Sequence, residues 1–329
     1  MAVYTEVSDE ALRDFLLDYE IGELVAYRGI AEGVENSNYS LRTTGGDAGG
    51  GDAGGGDFIL TLYERRVNPS DLPWFLGLMA HLWENGVVCP QPVCGRDGNP
   101  LRPLSGRLAA ITTFLPGVWP RRIQVSHCAP LGAALAGLHL AGASFGPQRD
   151  NNLSPQHFAG LLAPCLPRAD ELAPGLGASL ETSLANILAG WPTHLPRGQI
   201  HADLFPDNVF FIDGRVSGLI DFYFACTDYL AYDLVICLNA WCFEPDGAFN
   251  ITKARAMLGA YRALRPLTQA ELVALPVLAR GAAMRFLLTR LYDWLNTPEG
   301  ALVTRKNPLE YWKKLRFHEA AATVAAYGI

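Results

Sequence analysis

The sequence predicts an α+β fold in two lobes: a small antiparallel sheet with one long helix, then a larger, mostly helical lobe. Three observations predict it. Short strand-like runs separated by turn residues fill the first third, with one long helical pattern among them. Leu115-Pro116-Gly117 then breaks the pattern, and beyond it apolar residues recur mostly at helical spacing. Within that helical part lies a polar stretch followed by two short apolar runs joined by a turn, between Gln199 and Phe222. A chain of 329 residues is long enough for two lobes. The expected boundary separates residues 1–114, an N-terminal lobe, from residues 115–329.

In order, Ser8 is placed to cap a helix carrying Leu12, Phe15, Leu16 and Tyr19 on one face, with Gly22 ending it. Residues 24–30, 39–44 and 58–63 read as strands, and Gly33-Val34-Glu35-Asn36-Ser37-Asn38-Tyr39 as the turn between the first two. Residues 45–57 form a tandem glycine–aspartate repeat. Glycine at this density does not repay the entropy of ordering, so an exposed insertion at a hairpin tip is expected. Ser70 is the expected cap of a helix over 71–85, whose Leu72, Phe75, Leu76, Met79, Leu82 and Trp83 share helical spacing. Arg96-Asp97-Gly98-Asn99 is a hairpin turn, and residues 107–114 close the sheet. Ser126 begins a helix carrying Leu131, Leu135 and Leu138, in which His139 reads as a packed core histidine. Asp228-Tyr229-Leu230-Ala231-Tyr232-Asp233-Leu234 leads into a buried helix.

Composition narrows the function. Half of the residues are hydrophobic and the net charge is −7 with no basic block, which argues against nucleic acid as a partner. The seven cysteines contain no C-x-x-C pair and are odd in number, as expected of free thiols in a reducing cytoplasm. No secretory signal pattern opens the chain, and no apolar run free of charges is long enough to imply a membrane span.

The most informative stretch is His201-Ala202-Asp203-Leu204-Phe205-Pro206-Asp207-Asn208, followed by Leu219-Ile220-Asp221-Phe222. Phosphoryl transfer to a hydroxyl asks for a carboxylate that orients the hydroxyl and takes its proton, and for oxygen ligands that hold Mg²⁺ against nucleotide phosphates. Asp203 is the candidate base, and Asn208 and Asp221 the candidate metal ligands. Val209-Phe210-Phe211-Ile212, Asp213-Gly214 and Val216-Ser217-Gly218-Leu219-Ile220 read as strand, tight turn and strand. A hairpin of this length brings Asn208, at its start, beside Asp221, at its end, so two oxygen ligands converge on one point. His201 reads as a brace of the loop.

This pattern, H-x-D-x-x-x-x-N followed by Ile220-Asp221-Phe222, resembles the protein-kinase-like fold of aminoglycoside and choline phosphotransferases. The resemblance implies ATP and Mg²⁺ as cofactors and a site between two lobes that close to exclude water. It places the turn holding Gly33, Asn36, Ser37 and Asn38 over the nucleotide phosphates, where backbone N–H groups cradle anions. It makes Phe114-Leu115-Pro116-Gly117 the hinge, so that Ile111, Thr112, Thr113 and Phe114 face the adenine, and it makes Asp233 a support of the catalytic loop. The strand over 58–64 departs from most kinase-like enzymes: Thr61 stands where a phosphate-binding Lys is usual, and Arg65 and Arg66 lie nearby.

The substrate clue is the apolar stretch 280–294, interrupted by Arg285 and Arg290. A buried arginine needs an anion. That anion is either a substrate carboxylate, the role assigned to Arg285, or an Asp of the core. The turn at 33–39, the strand without Lys, and Arg290-Leu291-Tyr292-Asp293-Trp294 together resemble homoserine kinases of the kinase-like type over nearly the full chain. The implied reaction is ATP-dependent phosphorylation of the L-homoserine hydroxyl on the route to threonine. The alternatives are a kinase for another small hydroxyl compound (an aminoglycoside, choline or a sugar) and a nucleotide-binding protein without catalysis.

Overall fold

In the computed structural model, residues 5–30, 36–44, 56–64, 67–297 and 305–329 are described. Gly33, Arg65, Arg66 and most of the glycine–aspartate repeat lie outside them. The chain divides into two compact units, Met1–Pro116 and Gly117–Ile329.

The first unit begins with α1 (Asp9–Leu16), capped as expected by Ser8, whose side chain accepts the amide of Ala11. The helix stops at Leu16, short of Gly22. Tyr19 and Ile21 still reach the core, from the turn that follows. Strands β1 (Glu23–Gly29), β2 (Ser37–Thr44) and β3 (Asp57–Leu62) run antiparallel. Helix α2 (Leu72–Glu84), then β4 (Pro92–Val93), β5 (Leu101–Leu104) and β6 (Arg107–Thr113) complete the unit. Among the described residues the sheet order is β1-β2-β3-β6-β4, with β5 also on β6.

Alternation decides which face of β2 is buried: Ser37, Tyr39, Leu41 and Thr43 point inward, whereas Arg42 and Thr44 are exposed. Leu12, Phe15 and Leu16 of α1 join Leu41, Phe58, Leu60, Leu62, Ala109 and Ile111 in one core. Each such large side chain contributes roughly 1.5–3 kcal/mol on burial. Asn68, not Ser70, opens the α2 region. Its side chain accepts the Ser70 amide and leads through a 3₁₀ turn, Pro69–Asp71. Pro69 explains the shift: it favours the first helical position, which makes the residue before it the cap. Glu84 is exposed at the end of α2.

The second unit contains α3 (Val125–Gly142), α4 (Pro155–Leu162), α5 (Leu166–Ala169), α6 (Leu176–Gly190), β7 (Arg197–Ile200), β8 (Val209–Ile212), β9 (Arg215–Leu219), β10 (Cys226–Tyr229), α7 (Leu230–Trp241), α8 (Ile251–Leu264), α9 (Gln269–Asn296) and α10 (Pro308–Ala320). Helix α3 starts at Val125 and is capped by Gln124 and His127, one position before the expected Ser126. It packs so tightly on α8 that a Cβ on Gly132 would lie 2.2 Å from the Met257 carbonyl oxygen. Strands β7 and β10 pair antiparallel, as do β8 and β9. Asp213 (φ 48°) and Gly214 (φ 74°) make the tight β8–β9 turn, both left-handed as the hairpin twist requires.

Helix α9 opens with a capping box between Thr268 and Glu271. By length and composition it could cross a membrane, but 72% of its most apolar window is buried within the protein. It is the central helix of this unit, with Leu278, Ala282, Leu287 and Leu288 fully enclosed.

Candidate active site

The loop 201–208 connects β7 to β8, and three side chains from two helices hold it. The first hold is on α7. Asp233, in its first turn and fully buried, accepts the amide of His201 at Oδ2 and that of Ala202 at Oδ1, both at 2.8 Å. Two successive N–H groups thus converge on one carboxylate. Ala202 adopts a left-handed conformation, φ 63°, to present its amide this way. The second hold is also on α7: the indole Nε1 of Trp241 donates to the Leu204 carbonyl at 2.7 Å. The third is on α9, where Nη1 of Arg285 donates to the Ala202 carbonyl at 2.7 Å.

Behind Asp233 stands a relay of buried polar groups. His139 touches Asp233 through Nε2 at 3.1 Å and the Tyr261 hydroxyl through Nδ1 at 2.8 Å. Arg265 donates to Tyr261 and to Glu271. His139 is therefore a core histidine, as its setting in an apolar helix predicts. Burial works to raise the Asp233 carboxyl, but the hydrogen bonds it accepts and the neighbouring histidines outweigh this, and it is held below its ordinary value.

His201 is enclosed on all sides. Its Nε2 meets the Ile220 carbonyl at 2.9 Å, and its Nδ1 accepts the Asp203 amide at 3.3 Å. Only a carbonyl faces Nε2, so the proton resides there. Burial first, then the charge of Arg285, lowers its pKa to about 4, against the opposing pull of Asp233. The imidazole is thus neutral at physiological pH. It ties the loop to the end of β9, with the Phe222 ring 4.6 Å from its own.

The three candidate catalytic residues come together on this frame. The side-chain amide of Asn208 donates to the Asp203 carbonyl at 2.8 Å and to its carboxylate at 3.3 Å. The amide of Ile220 donates to the Asn208 carbonyl at 3.0 Å, which sets Asp221 at the mouth of the β8–β9 hairpin beside Asn208. Asp221 is left-handed, φ 66°, and exposed. Non-glycine residues in this conformation gather at functional sites. Burial pushes the half-buried Asp203 carboxyl well above its ordinary value; Asp221 and Asp207 add to this, while Arg285 and Lys306 oppose it.

The donor set suits Mg²⁺. With its nitrogen turned to Asp203, Asn208 keeps its side-chain oxygen for another partner, and Asp221 adds an exposed carboxylate. Mg²⁺ needs one or two such groups and takes its remaining oxygens from phosphate and water. Among the described residues there is no cluster of three or more His, Cys, Asp or Glu able to hold a metal.

Other sequence-derived residues stand differently. Arg285 is 2% exposed and meets the main chain, neither a core Asp nor solvent; its guanidinium lies 4.7 Å from the Phe286 ring centroid. The structure thus uses it as a brace on the loop. Asn36 and Ser37 are buried and tied into the sheet: Asn36 accepts the Glu64 amide, and Ser37 donates to the Glu64 carboxylate. Asn38 accepts from Thr61, the residue in place of the strand Lys. Thr112 is buried within β6, and Phe114 is 44% exposed just beyond it.

Residues 26–267 match the phosphotransferase enzyme family. Among curated relatives, the chain is 65% identical to a homoserine kinase of Gluconacetobacter diazotrophicus and 64% identical to one of Acidiphilium cryptum, each alignment covering 100% of both chains. Among solved structures, its fold is similar to an amicoumacin kinase in complex with AMP-PNP, Ca²⁺ and Ami (TM-score 0.68, 14% identity, 96% of this chain and 93% of that one). It is also similar to a choline kinase of Cryptosporidium parvum (TM-score 0.64, 13% identity, 95% of each). The catalytic loop, its hairpin and these likenesses place the chain in one family: it belongs to the phosphotransferase enzymes of kinase-like fold.

Proposed function

We propose that this protein transfers the terminal phosphoryl group of ATP to the hydroxyl of L-homoserine, giving O-phospho-L-homoserine on the route to threonine. Asp203, Asn208 and Asp221 gathered on one braced loop and hairpin are the observation that carries the phosphotransferase chemistry. Full-length identity of 60–65% to several homoserine kinases carries the substrate.

Asp203 orients the substrate hydroxyl and accepts its proton as the new P–O bond forms. Asn208 serves twice, steadying Asp203 through its nitrogen and offering its oxygen to Mg²⁺ together with Asp221. When bound, the ion neutralises charge on the phosphates. His201, neutral and buried, keeps the loop in register and exchanges no proton. Nucleotide contacts are assigned to the main chain around Gly33, Asn36, Ser37 and Asn38 and to Thr112 and Phe114, with no strand Lys among them. The substrate is a small molecule and the setting cytoplasmic.

The test is ADP release from MgATP over L-homoserine, L-serine, choline, a simple sugar and kanamycin. Strong selectivity for L-homoserine is expected. Turnover of another hydroxyl compound without homoserine would overturn the substrate while leaving the phosphotransferase chemistry in place.

A further inference from the structure

The proposed substrate is a zwitterion, and nothing above holds its carboxylate. The cations of the second unit near the loop differ in whether their charge is already met. Arg285 is buried on the Ala202 carbonyl. Arg290 pairs with Glu310 at 2.7 Å and lies over the Tyr311 ring, 4.4 Å from its centroid. Lys314 pairs with the other oxygen of Glu310 at 2.6 Å, its side chain 7% exposed. Arg305 donates to the Trp294 carbonyl and stacks on that indole.

Lys306 is the exception. It is exposed, and among the described residues it forms neither an ion pair nor a side-chain hydrogen bond, whereas Arg285 and Arg305, which also meet no carboxylate, each hold a main-chain carbonyl. Its Nζ lies 5.6 Å from the ring centroid of Phe205, two residues beyond Asp203 in the catalytic loop. Phe205 is itself fixed, edge-on to Phe286 at 4.9 Å. An unmet ammonium therefore stands beside the catalytic loop, seated on an aromatic ring that limits where it can swing.

We infer that Lys306 is the specificity-determining residue for the substrate: its ammonium, seated over Phe205, takes the α-carboxylate while the hydroxyl meets Asp203. In homoserine the hydroxyl oxygen and the carboxylate carbon are separated by four bonds, about 5 Å when extended. An anchor flanking the catalytic loop suits that length, and it selects a hydroxy amino acid over an amino alcohol of the same chain. This inference rests on the homoserine reading above and deepens it.

The test compares wild type, Lys306→Met and Lys306→Arg on L-homoserine and on 3-amino-1-propanol, which keeps the hydroxyl and amine but lacks the carboxylate. The amino alcohol is read as substrate or as competitive inhibitor. Removing one charge-assisted contact is expected to raise KM for homoserine about 10- to 100-fold. KM for ATP and kcat should stay within about twofold, because the contact is made alike in ground and transition states. The amino alcohol should bind Lys306→Met as it binds wild type, and Lys306→Arg should recover most of the homoserine affinity. An unchanged homoserine KM in Lys306→Met, or equal losses on both compounds, would overturn the inference alone. A wild-type enzyme inactive on homoserine would overturn the substrate reading and this inference with it.

Discussion

Arg285 and Asp233 grip Ala202 from opposite ends: the guanidinium donates to its carbonyl at 2.7 Å and the carboxylate accepts its amide at 2.8 Å. Ala202 is fully buried and left-handed, a conformation costing roughly 1 kcal/mol for a residue with a Cβ. The strain persists because both main-chain polar groups have partners that only this conformation serves. Ala202→Gly should therefore be nearly neutral in stability, strain relief offsetting the entropy of glycine. Ala202→Val should lower both melting temperature and turnover. Arg285→Met leaves a buried carbonyl unsatisfied, at about 1–3 kcal/mol. It should reduce kcat by about tenfold or more as the loop loosens, with a smaller effect on KM for ATP. Thermal melts and steady-state kinetics check all three variants, and a fully active Arg285→Met would refute the brace.

Asp203→Asn preserves shape and the contact with Asn208 while removing the base. Turnover should fall on the order of 10²- to 10⁴-fold. Nucleotide affinity, measured by calorimetry with a non-hydrolysable analogue, should change little, because the proposed role of the side chain is toward the acceptor hydroxyl. Near-normal turnover would take Asp203 out of the base role.

The grouping of Asp203, Asn208 and Asp221 was legible in the sequence because these polar residues are close together and a short hairpin leaves few ways to arrange them. Asp233 as a support of the loop was legible only through the resemblance of residues 228–234 to the kinase-like pattern. What was hidden is the bracing. Trp241 and Arg285 lie 37 and 83 positions from the carbonyls they serve, and no local pattern encodes such a pairing. A buried arginine signals that an acceptor is needed; it does not say that the acceptor is a main-chain oxygen. In the first unit, the strand over 39–44 was legible, yet nothing local could show that Asn36 and Ser37, read as turn residues, turn to Glu64. That contact depends on strand register, which is set across the sheet. The Ser70 cap was misread for a local reason: Pro69 moved the start of the turn back to Asn68.

Asn208 and Asp221 make distinct predictions. On the proposed assignment Asp221→Ala removes one Mg²⁺ ligand, so the Mg²⁺ concentration for half-maximal rate should rise by about tenfold or more. Asn208→Ala removes the proposed oxygen ligand and also the donor that steadies Asp203. It should therefore raise the Mg²⁺ requirement and lower kcat at saturating metal. Magnesium titrations of the rate separate the two. An unchanged requirement in Asp221→Ala would count against its role as a ligand.

Two buried histidines set an acid limit on stability. His318 accepts from or donates to the Tyr327 hydroxyl at 2.9 Å and Asn239 Oδ1 at 3.1 Å, both neutral partners. Burial first, then the charges of Arg280 and Lys314, lowers its pKa from 6.5 to about 3, and that of His201 falls to about 4. The unfolded chain takes up both protons below about pH 6.5, whereas the native protein resists until pH 4 or 3. The unfolded state thus binds more protons in this window, and stability must decline as pH falls through it, by up to about 1.4 kcal/mol per pH unit for each histidine. Neither histidine affects the pH dependence above about pH 7.5. Denaturant unfolding of wild type at pH 7 and pH 5 should show this loss. His318→Gln, which retains hydrogen-bonding capacity without a titrating ring, should be less stable at pH 7 but show a shallower decline toward pH 5. A slope identical to wild type would mean that His318 is protonated alike in the folded and unfolded chains.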